Sequence, residues 1–108
     1  MQSNKFRAVR TDYAGLTFDS KAEARRYAAL LILVRAGRVR DLVVKPKFEL
    51  RVNGAKVGSY IADFSYYEDD NLVVEDVKSK PTRTPVYRLK AKLMMAIHGI
   101  EILEVYAH

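Results

Sequence analysis

Residues 72–78 place three charged side chains inside what otherwise reads as a buried strand. The segment is LVVEDVK, and its leucine and three valines are typical of a strand in the core of a sheet. Glu75, Asp76 and Lys78 interrupt this apolar run. Because an unpaired charge is strongly disfavoured away from water, any fold of this chain must pair these groups or use them for function.

The preceding residues predict the partner of this strand. YIADFSYY at 60–67 is followed by the polar turn EDDN at 68–71, which is the pattern of a β-hairpin. A four-residue loop that sets Tyr67 opposite Leu72 also sets Asp63 opposite Asp76. The prediction depends on this assumed register, because a shift of one residue would move one carboxylate to the other face.

In that register, two carboxylates and one ammonium share a face. Side chains alternate along a strand, so Lys78 accompanies Asp76, whereas Glu75 points the other way as a salt-bridge or helix-facing residue. Directly opposed carboxylates repel each other, and a divalent cation with a preference for oxygen ligands, Mg²⁺ or Mn²⁺, would offset that repulsion. The alternative is an edge hairpin in which Asp76 and Lys78 neutralise each other in solvent. The apolar residues of the two strands favour a central hairpin: Ile61, Phe64, Val73, Val74 and Val77.

Two helices are predicted from their end signals. The first occupies 18–37, with Ser20 as N-cap, Glu23 three residues later and Gly37 as the C-terminal stop. Its expected buried face consists of Ala24, Tyr27, Ala28, Leu31 and Val34. The second starts at Thr84 and Pro85 and ends near residues 98–99, with Val86, Leu89, Leu93, Ala96 and Ile97 as its apolar side.

The remaining segments complete a single domain over residues 1–108. Residues 1–17 form a basic arm or a short hairpin, residues 42–52 one strand with an edge or bulge at Pro46, and residues 100–106 a closing strand. The predicted order is helix, three strands, helix, strand. We therefore expect an α/β fold with a small mixed central sheet flanked by helices.

Composition limits the classes of function. The 108 residues contain no cysteine and no apolar stretch of membrane-spanning length, which excludes disulfides and thiolate metal sites and predicts a cytoplasmic protein with no membrane partner. The net charge of +6 favours a polyanionic partner such as nucleic acid. Against this basic background, residues 60–77 carry six acids and no base, so the acidic residues are concentrated in the predicted hairpin.

Several motifs in this order resemble a known family. Asp63 in YIADF, followed by DVK at 76–78, is similar to the signature of the PD-(D/E)xK nucleases. The segments FDSKAEARRY, KPKFEL, VVEDVKSKPT and YRLKAKL resemble small phage and prophage proteins of that superfamily, which is related to Holliday junction resolvases. The resemblance covers residues 4–106. It implies a restriction-endonuclease-like core and a phage or prophage protein that acts in a bacterial host cell.

The resemblance also implies roles for individual residues. Asp63 and Asp76 would be metal ligands, the Val77 carbonyl a further ligand, and Lys78 the group that positions the attacking water or stabilises charge on the phosphate. Glu23 matches an additional acidic residue of the superfamily, although its place in a capping box with Ser20 also explains it. The chain departs from the commonest pattern, with IAD in place of Pro-Asp and Asp rather than Glu at position 76.

DNA contacts are expected from basic residues near these motifs. The candidates are Lys5, Arg7 and Arg10 in the N-terminal segment, Arg26 beside Glu23, and Lys80, Arg83, Arg88 and Lys90 after Lys78. No base-reading helix-turn-helix is evident, so we expect recognition of DNA shape and backbone.

The sequence thus predicts a Mg²⁺-dependent endodeoxyribonuclease, most specifically a phage-type Holliday junction resolvase acting on branched DNA, without a small-molecule cofactor. Two symmetric cuts by one active site per chain imply a homodimer. The alternatives are a nicking or sequence-specific endonuclease of the same fold and a catalytically silent DNA-binding module. A protein-interaction domain would leave the carboxylate pair unexplained.

Overall fold

The computed structural model describes residues 10–78 and 83–106. Its first elements are two short antiparallel strands, β1 (Thr11–Tyr13) and β2 (Leu16–Phe18). Ala14 and Gly15 make the turn with positive φ. Of the two interpretations of residues 1–17, the described part therefore adopts the hairpin. Lys5 and Arg7 lie outside the described residues.

Helix α1 (Lys21–Arg35) begins as the sequence predicts. The Ser20 side chain accepts a hydrogen bond from the Glu23 N–H at 3.1 Å, and Gly37 follows the helix with φ of +73°. Its predicted buried face is wrong in part: Leu30 is fully buried, whereas Val34 is exposed. The helix turns Leu30 and Leu33 toward the sheet because the first core cluster, around Phe64 and Phe18, lies on that side.

Among the described residues between the two helices there are five strands, rather than the predicted three. They are β3 (Arg40–Val44), β4 (Lys47–Val52), β5 (Ala55–Ile61), β6 (Phe64–Glu68) and β7 (Asn71–Lys78). The predicted strand at 42–52 is divided because Pro46 lacks a backbone donor and Lys45 adopts φ of +57°. The predicted strand at 60–67 is divided at Ala62 and Asp63.

The central sheet has the order β3-β6-β7-β8, with β8 (Leu103–Tyr106) parallel to β7 and the other pairs antiparallel. The β6–β7 hairpin occupies the middle of this sheet, which confirms the prediction that it is central. Strands β4 and β5 form a separate hairpin. The structure is thus a mixed α/β fold with a small mixed sheet.

Helix α2 (Pro85–Leu93) starts at Thr84, whose side chain accepts from the Tyr87 N–H at 3.1 Å, and a π-helical turn (Met94–His98) extends it. Tyr87 and Met94 form its buried side, whereas Val86 and Leu89 are exposed, contrary to the prediction. The closing strand is shorter than predicted, because it occupies Leu103–Tyr106 rather than residues 100–106.

Two apolar clusters cover opposite faces of β6 and β7. Phe64 and Tyr66 pack with Leu30 of α1, and Val74 packs with Tyr87 and Met94 of the second helical segment. No helix in the described ranges is long and apolar enough to cross a membrane. The two faces of β7 therefore pack toward two different helices. Glu75 lies on one face, and Asp76 and Lys78 lie on the other.

Candidate active site

Asp63 sits at the bend between β5 and β6. The pairing of β6 with β7 has the predicted register from Phe64↔Glu75 to Glu68↔Asn71. Asp63 lies just beyond the last ladder pair, so the expected direct opposition of Asp63 and Asp76 is replaced by a bent arrangement. The Asp63 N–H donates to the Glu75 carbonyl at 3.1 Å, and its Oδ2 accepts from the Val77 N–H at 2.7 Å. Val77 thus holds Asp63 through its amide.

The carboxyl groups of Asp63 and Asp76 nevertheless lie together. Burial, a hydrogen bond shared with Asp76 and the charge of Glu23 raise the pKa of Asp63 to about 8, and the Val77 N–H opposes this shift. Like charges that are close together and away from water disfavour ionisation of both groups. Ionisation of Asp63 is therefore disfavoured at neutral pH when no cation is bound.

Lys78 completes this face of β7 and is held by neighbours on both sides. Its Nζ lies 3.0 Å from Asp76 Oδ2 and 3.5 Å from the centre of the Tyr87 ring. The Tyr87 hydroxyl donates to Glu104 Oε2 at 2.7 Å, and Glu104 also accepts from Arg83 and Tyr106. The ammonium thus rests on an aromatic ring that is itself anchored, which restricts its position.

Glu23 reaches the site from the first turn of α1. Its backbone N–H donates to the Ser20 side chain that caps the helix, while its carboxylate Oε1 lies 3.2 Å from the Nζ of Lys45. The same ammonium is 3.9 Å from Asp63 Oδ1 and 3.4 Å from Asp19 Oδ2. A place in the helix cap and a place beside the candidate site are therefore compatible for Glu23.

Tyr60 lines the other side of Asp76. It is buried, and its hydroxyl has no hydrogen-bond partner of acceptable geometry among the described residues. Burial and the charge of Asp76 raise its pKa. The two residues open onto a cleft of about 370 Å³, whose other lining residues include Thr84, Tyr87 and Lys90. An unsatisfied buried hydroxyl in the wall of a cleft is a group that a ligand can satisfy.

Glu75 lies on the face opposite Asp76, as the sequence predicts. It is fully buried and accepts two hydrogen bonds from the Arg26 guanidinium, at 2.8 and 2.6 Å, and one from the Tyr66 hydroxyl. Arg26 was expected to offer a free cation beside Glu23 for DNA. Instead, its guanidinium is bound to Glu75, because Arg26 faces the sheet at this turn of α1.

The other candidate DNA contacts are distributed around the fold. Lys90 lines the cleft beside Asp76, Arg10 and Arg88 are exposed, and Arg83 pairs with Glu104 at 2.9 Å. Lys80 lies outside the described residues. Of the predicted contacts that the structure describes, Lys90 is the one that lines the same cleft as Asp76.

Sequence reasoning missed four participants: Asp19, Lys45, Tyr60 and Glu104. Lys45 carried one available signal, because it immediately precedes Pro46 at the break between two strands. The other three carry no local signal, since their relation to the site depends on contacts between distant segments.

The donor set is suited to a hard divalent cation. Asp63 and Asp76 offer adjacent carboxylate oxygens. Glu23 lies on the other side of the Lys45 ammonium, which is near both Glu23 and Asp63. Within residues 10–78 and 83–106, no three acidic or histidine side chains converge into a ready-made metal cage. Asp63 and Asp76 are thus the two carboxylates that could hold such a cation, and the Lys45 ammonium lies between Asp63 and Glu23.

A comparison with protein families matches the chain over residues 3–104 to a family described as Protein of unknown function (DUF1064). The chain belongs to this family. The part that matches DUF1064 includes both helices and the residues Glu23, Asp63, Asp76 and Lys78. No curated protein and no solved structure was found to match the chain.

Proposed function

We propose that this DUF1064 protein is a metal-dependent endodeoxyribonuclease of the PD-(D/E)xK type, with a restriction-endonuclease-like core. The observation that carries the proposal is the grouping of Asp63, Asp76 and Lys78 at one end of the β6–β7 hairpin. The Asp63 carboxyl group is largely buried and lies within hydrogen-bond reach of Asp76, and the Lys78 ammonium stands 3.0 Å from Asp76. A purely structural hairpin gains nothing from placing two repelling carboxylates in a largely buried position.

Each residue then has a defined task. Asp63 and Asp76 would hold Mg²⁺, with Asp63 oriented by the Val77 N–H. When bound, the cation would supply Lewis-acid activation of the phosphodiester and offset its negative charge. Lys78, fixed between Asp76 and the Tyr87 ring, would stabilise charge that develops on the phosphate. Lys90 in the adjoining cleft would contact the DNA backbone.

The substrate proposed is branched DNA, most specifically a four-way junction. The net charge of +6 favours DNA, while the fold presents no base-reading helix of a helix-turn-helix in the described residues. Resolution of a junction requires two cuts, so we propose a homodimer with one site in each subunit. Sedimentation of the purified protein tests this assembly.

The decisive experiment measures cleavage of four-way junctions, flaps and linear duplex with Mg²⁺, Mn²⁺ or EDTA. Asp63→Asn and Lys78→Met should each reduce the rate by at least about 100-fold, because each removes a group that acts at the phosphate. Asp70→Asn on the exposed β6–β7 turn and Lys56→Met in the β4–β5 hairpin are charge-matched controls that should cut normally.

The possible outcomes separate the levels of the proposal. No cleavage of any substrate with either metal, or normal cleavage by Asp63→Asn, would overturn the nuclease assignment. Binding of junctions without cleavage would instead identify a catalytically silent DNA-binding module. Equal cleavage of linear duplex and junctions would remove the junction resolvase function and leave an endonuclease of the same fold.

A further inference from the structure

Lys45 has an unusual backbone conformation for its residue type. It joins β3 to β4 with φ of +57° and directly precedes Pro46, a position that normally favours extended backbone. Left-handed backbone is disfavoured for a residue with a Cβ, and glycine or asparagine is the usual choice there. The requirement for a turn alone therefore does not account for a lysine at this position.

The surrounding backbone fixes this corner against the bend that carries Asp63. The Lys45 N–H donates to the Asp63 carbonyl at 2.9 Å, and the Ala62 N–H donates to the Pro46 carbonyl at 3.1 Å. The two breaks in the strands are thus joined to each other. This connection delivers the Lys45 side chain to the candidate site.

The ammonium lies among three carboxylates from two segments. Its distances are 3.2 Å to Glu23 Oε1, 3.4 Å to Asp19 Oδ2 and 3.9 Å to Asp63 Oδ1. Glu23 and Asp63 are largely buried, with side chains 13% and 14% exposed, so they need a nearby positive charge more than Asp19 does. Asp63 Oδ2 is already bound to the Val77 N–H, which leaves Oδ1 as the oxygen nearer to the Lys45 ammonium.

We infer that Lys45 is an internal counter-ion of the carboxylate site and that a divalent cation binds there in competition with it. Mg²⁺ and Mn²⁺ require close contact with carboxylate oxygens, and an ammonium that stays beside the same oxygens repels them. Displacement of Lys45 is what allows Glu23 to join Asp63 and Asp76. The buried Tyr60 hydroxyl beside Asp76, which makes no close hydrogen bond within the described residues, is a second observation that is consistent with a ligand at this site. The inference rests on the proposed function for the class of cation.

The test measures Mn²⁺ binding by electron paramagnetic resonance and compares Lys45 variants with the wild type. Each protein is prepared free of metal and studied without DNA. Lys45→Asn removes the ammonium and keeps a residue that tolerates positive φ. It should bind Mn²⁺ about three- to tenfold more tightly than the wild type, because the competing cation is gone. Lys47→Gln, on exposed β4, removes the same charge nearby and should remain within about twofold of the wild type.

A second variant guards against poor folding of Lys45→Asn. Lys45→Arg retains a cation and should bind Mn²⁺ no more tightly than the wild type. Thermal unfolding adds a second measurement. Without metal, Lys45→Asn should have a lower Tm than the wild type. With saturating Mn²⁺, the difference in Tm between the two proteins should become smaller.

Three results would overturn the inference: unchanged or weaker Mn²⁺ binding by Lys45→Asn, an equal gain in Lys47→Gln, or no Mn²⁺ binding by any variant. These outcomes are separable from failure of the nuclease proposal. Normal cleavage without a Lys45 effect on Mn²⁺ binding removes only the counter-ion role. A clear Lys45 effect without cleavage removes only the nuclease function.

Discussion

At the scale of single residues, Asp63 links the electrostatics of the site to the stability of the fold. Its pKa is raised from 3.8 to about 8 by burial and by the nearby carboxyl groups. Between these two values, the folded protein holds a proton that the unfolded chain has released. The free energy of unfolding of the metal-free protein should therefore fall as pH rises through this window.

Asp63→Asn should remove most of this pH dependence. The amide oxygen can still accept from the Val77 N–H, and the substitution removes a charge that repels Asp76. We expect the metal-free variant to be more stable than the wild type at pH 8 by on the order of 2 kcal/mol. Urea unfolding at pH 5 and pH 8 measures the effect.

The control for this prediction is Asp70→Asn, which removes a fully exposed carboxylate from the β6–β7 turn. It should leave the pH dependence of stability unchanged. A loss of stability in Asp63→Asn at pH 8 would show that Asp63 acts as a structural partner rather than as one member of a repelling pair.

At the scale of elements, the buried ion pair between Arg26 and Glu75 ties α1 to β7. Glu75 is wholly inaccessible, and it accepts hydrogen bonds from the guanidinium and from the Tyr66 hydroxyl. Since Glu75 adjoins Asp76, this contact also sets the position of the strand that presents Asp76 and Lys78 to the other face.

Arg26→Met should destabilise the protein by about 2–4 kcal/mol, because it leaves a buried carboxylate without its counter-charge. Arg25→Met changes the neighbouring exposed position on α1 and should cost less than about 0.5 kcal/mol. Denaturant unfolding of both variants provides the measurement. Equal stability of the two would mean that the ion pair does not hold α1 against the sheet.

At the scale of the whole molecule, a net charge of +6 coexists with a candidate site that is locally acidic. The Asp63–Asp76 pair repels a DNA phosphate unless cations stand beside it. Lys90, which lines the cleft with Asp76, is placed to supply one of those cations. Under the proposed function, DNA affinity should therefore depend strongly on salt and on this lysine.

Lys90→Ala should weaken DNA binding about equally for all base sequences and reduce the slope of log Kobs against log salt by about 1. Arg35→Ala removes an equal charge from the far end of α1 and should change the slope little. Fluorescence anisotropy at several salt concentrations, with Ca²⁺ in place of Mg²⁺ to prevent cleavage, tests this. Equal slopes for both variants would mean that Lys90 does not contact phosphate.

The predictions that succeeded rest on short-range rules. The N-caps at Ser20 and Thr84, the left-handed stop at Gly37 and the register of the β6–β7 hairpin each depend on neighbouring residues. The opposite orientations of Glu75 and Asp76 follow from the same alternation. The errors, such as the exposed Val34 and Leu89, come from helices whose buried side is decided by distant partners.

Strand alternation by itself determined that Asp76 and Lys78 share a face and that Glu75 leaves it, because side-chain direction along a strand has a period of two residues. Only the tertiary structure decided which groups meet that face. The breaks at Lys45–Pro46 and at Ala62–Asp63 bend two strands out of line and join their corners by hydrogen bonds. Lys45 thereby reaches Glu23 and Asp63, and Tyr60 comes to lie beside Asp76. Contacts of this kind join residues far apart in the chain, and no local pattern encodes them.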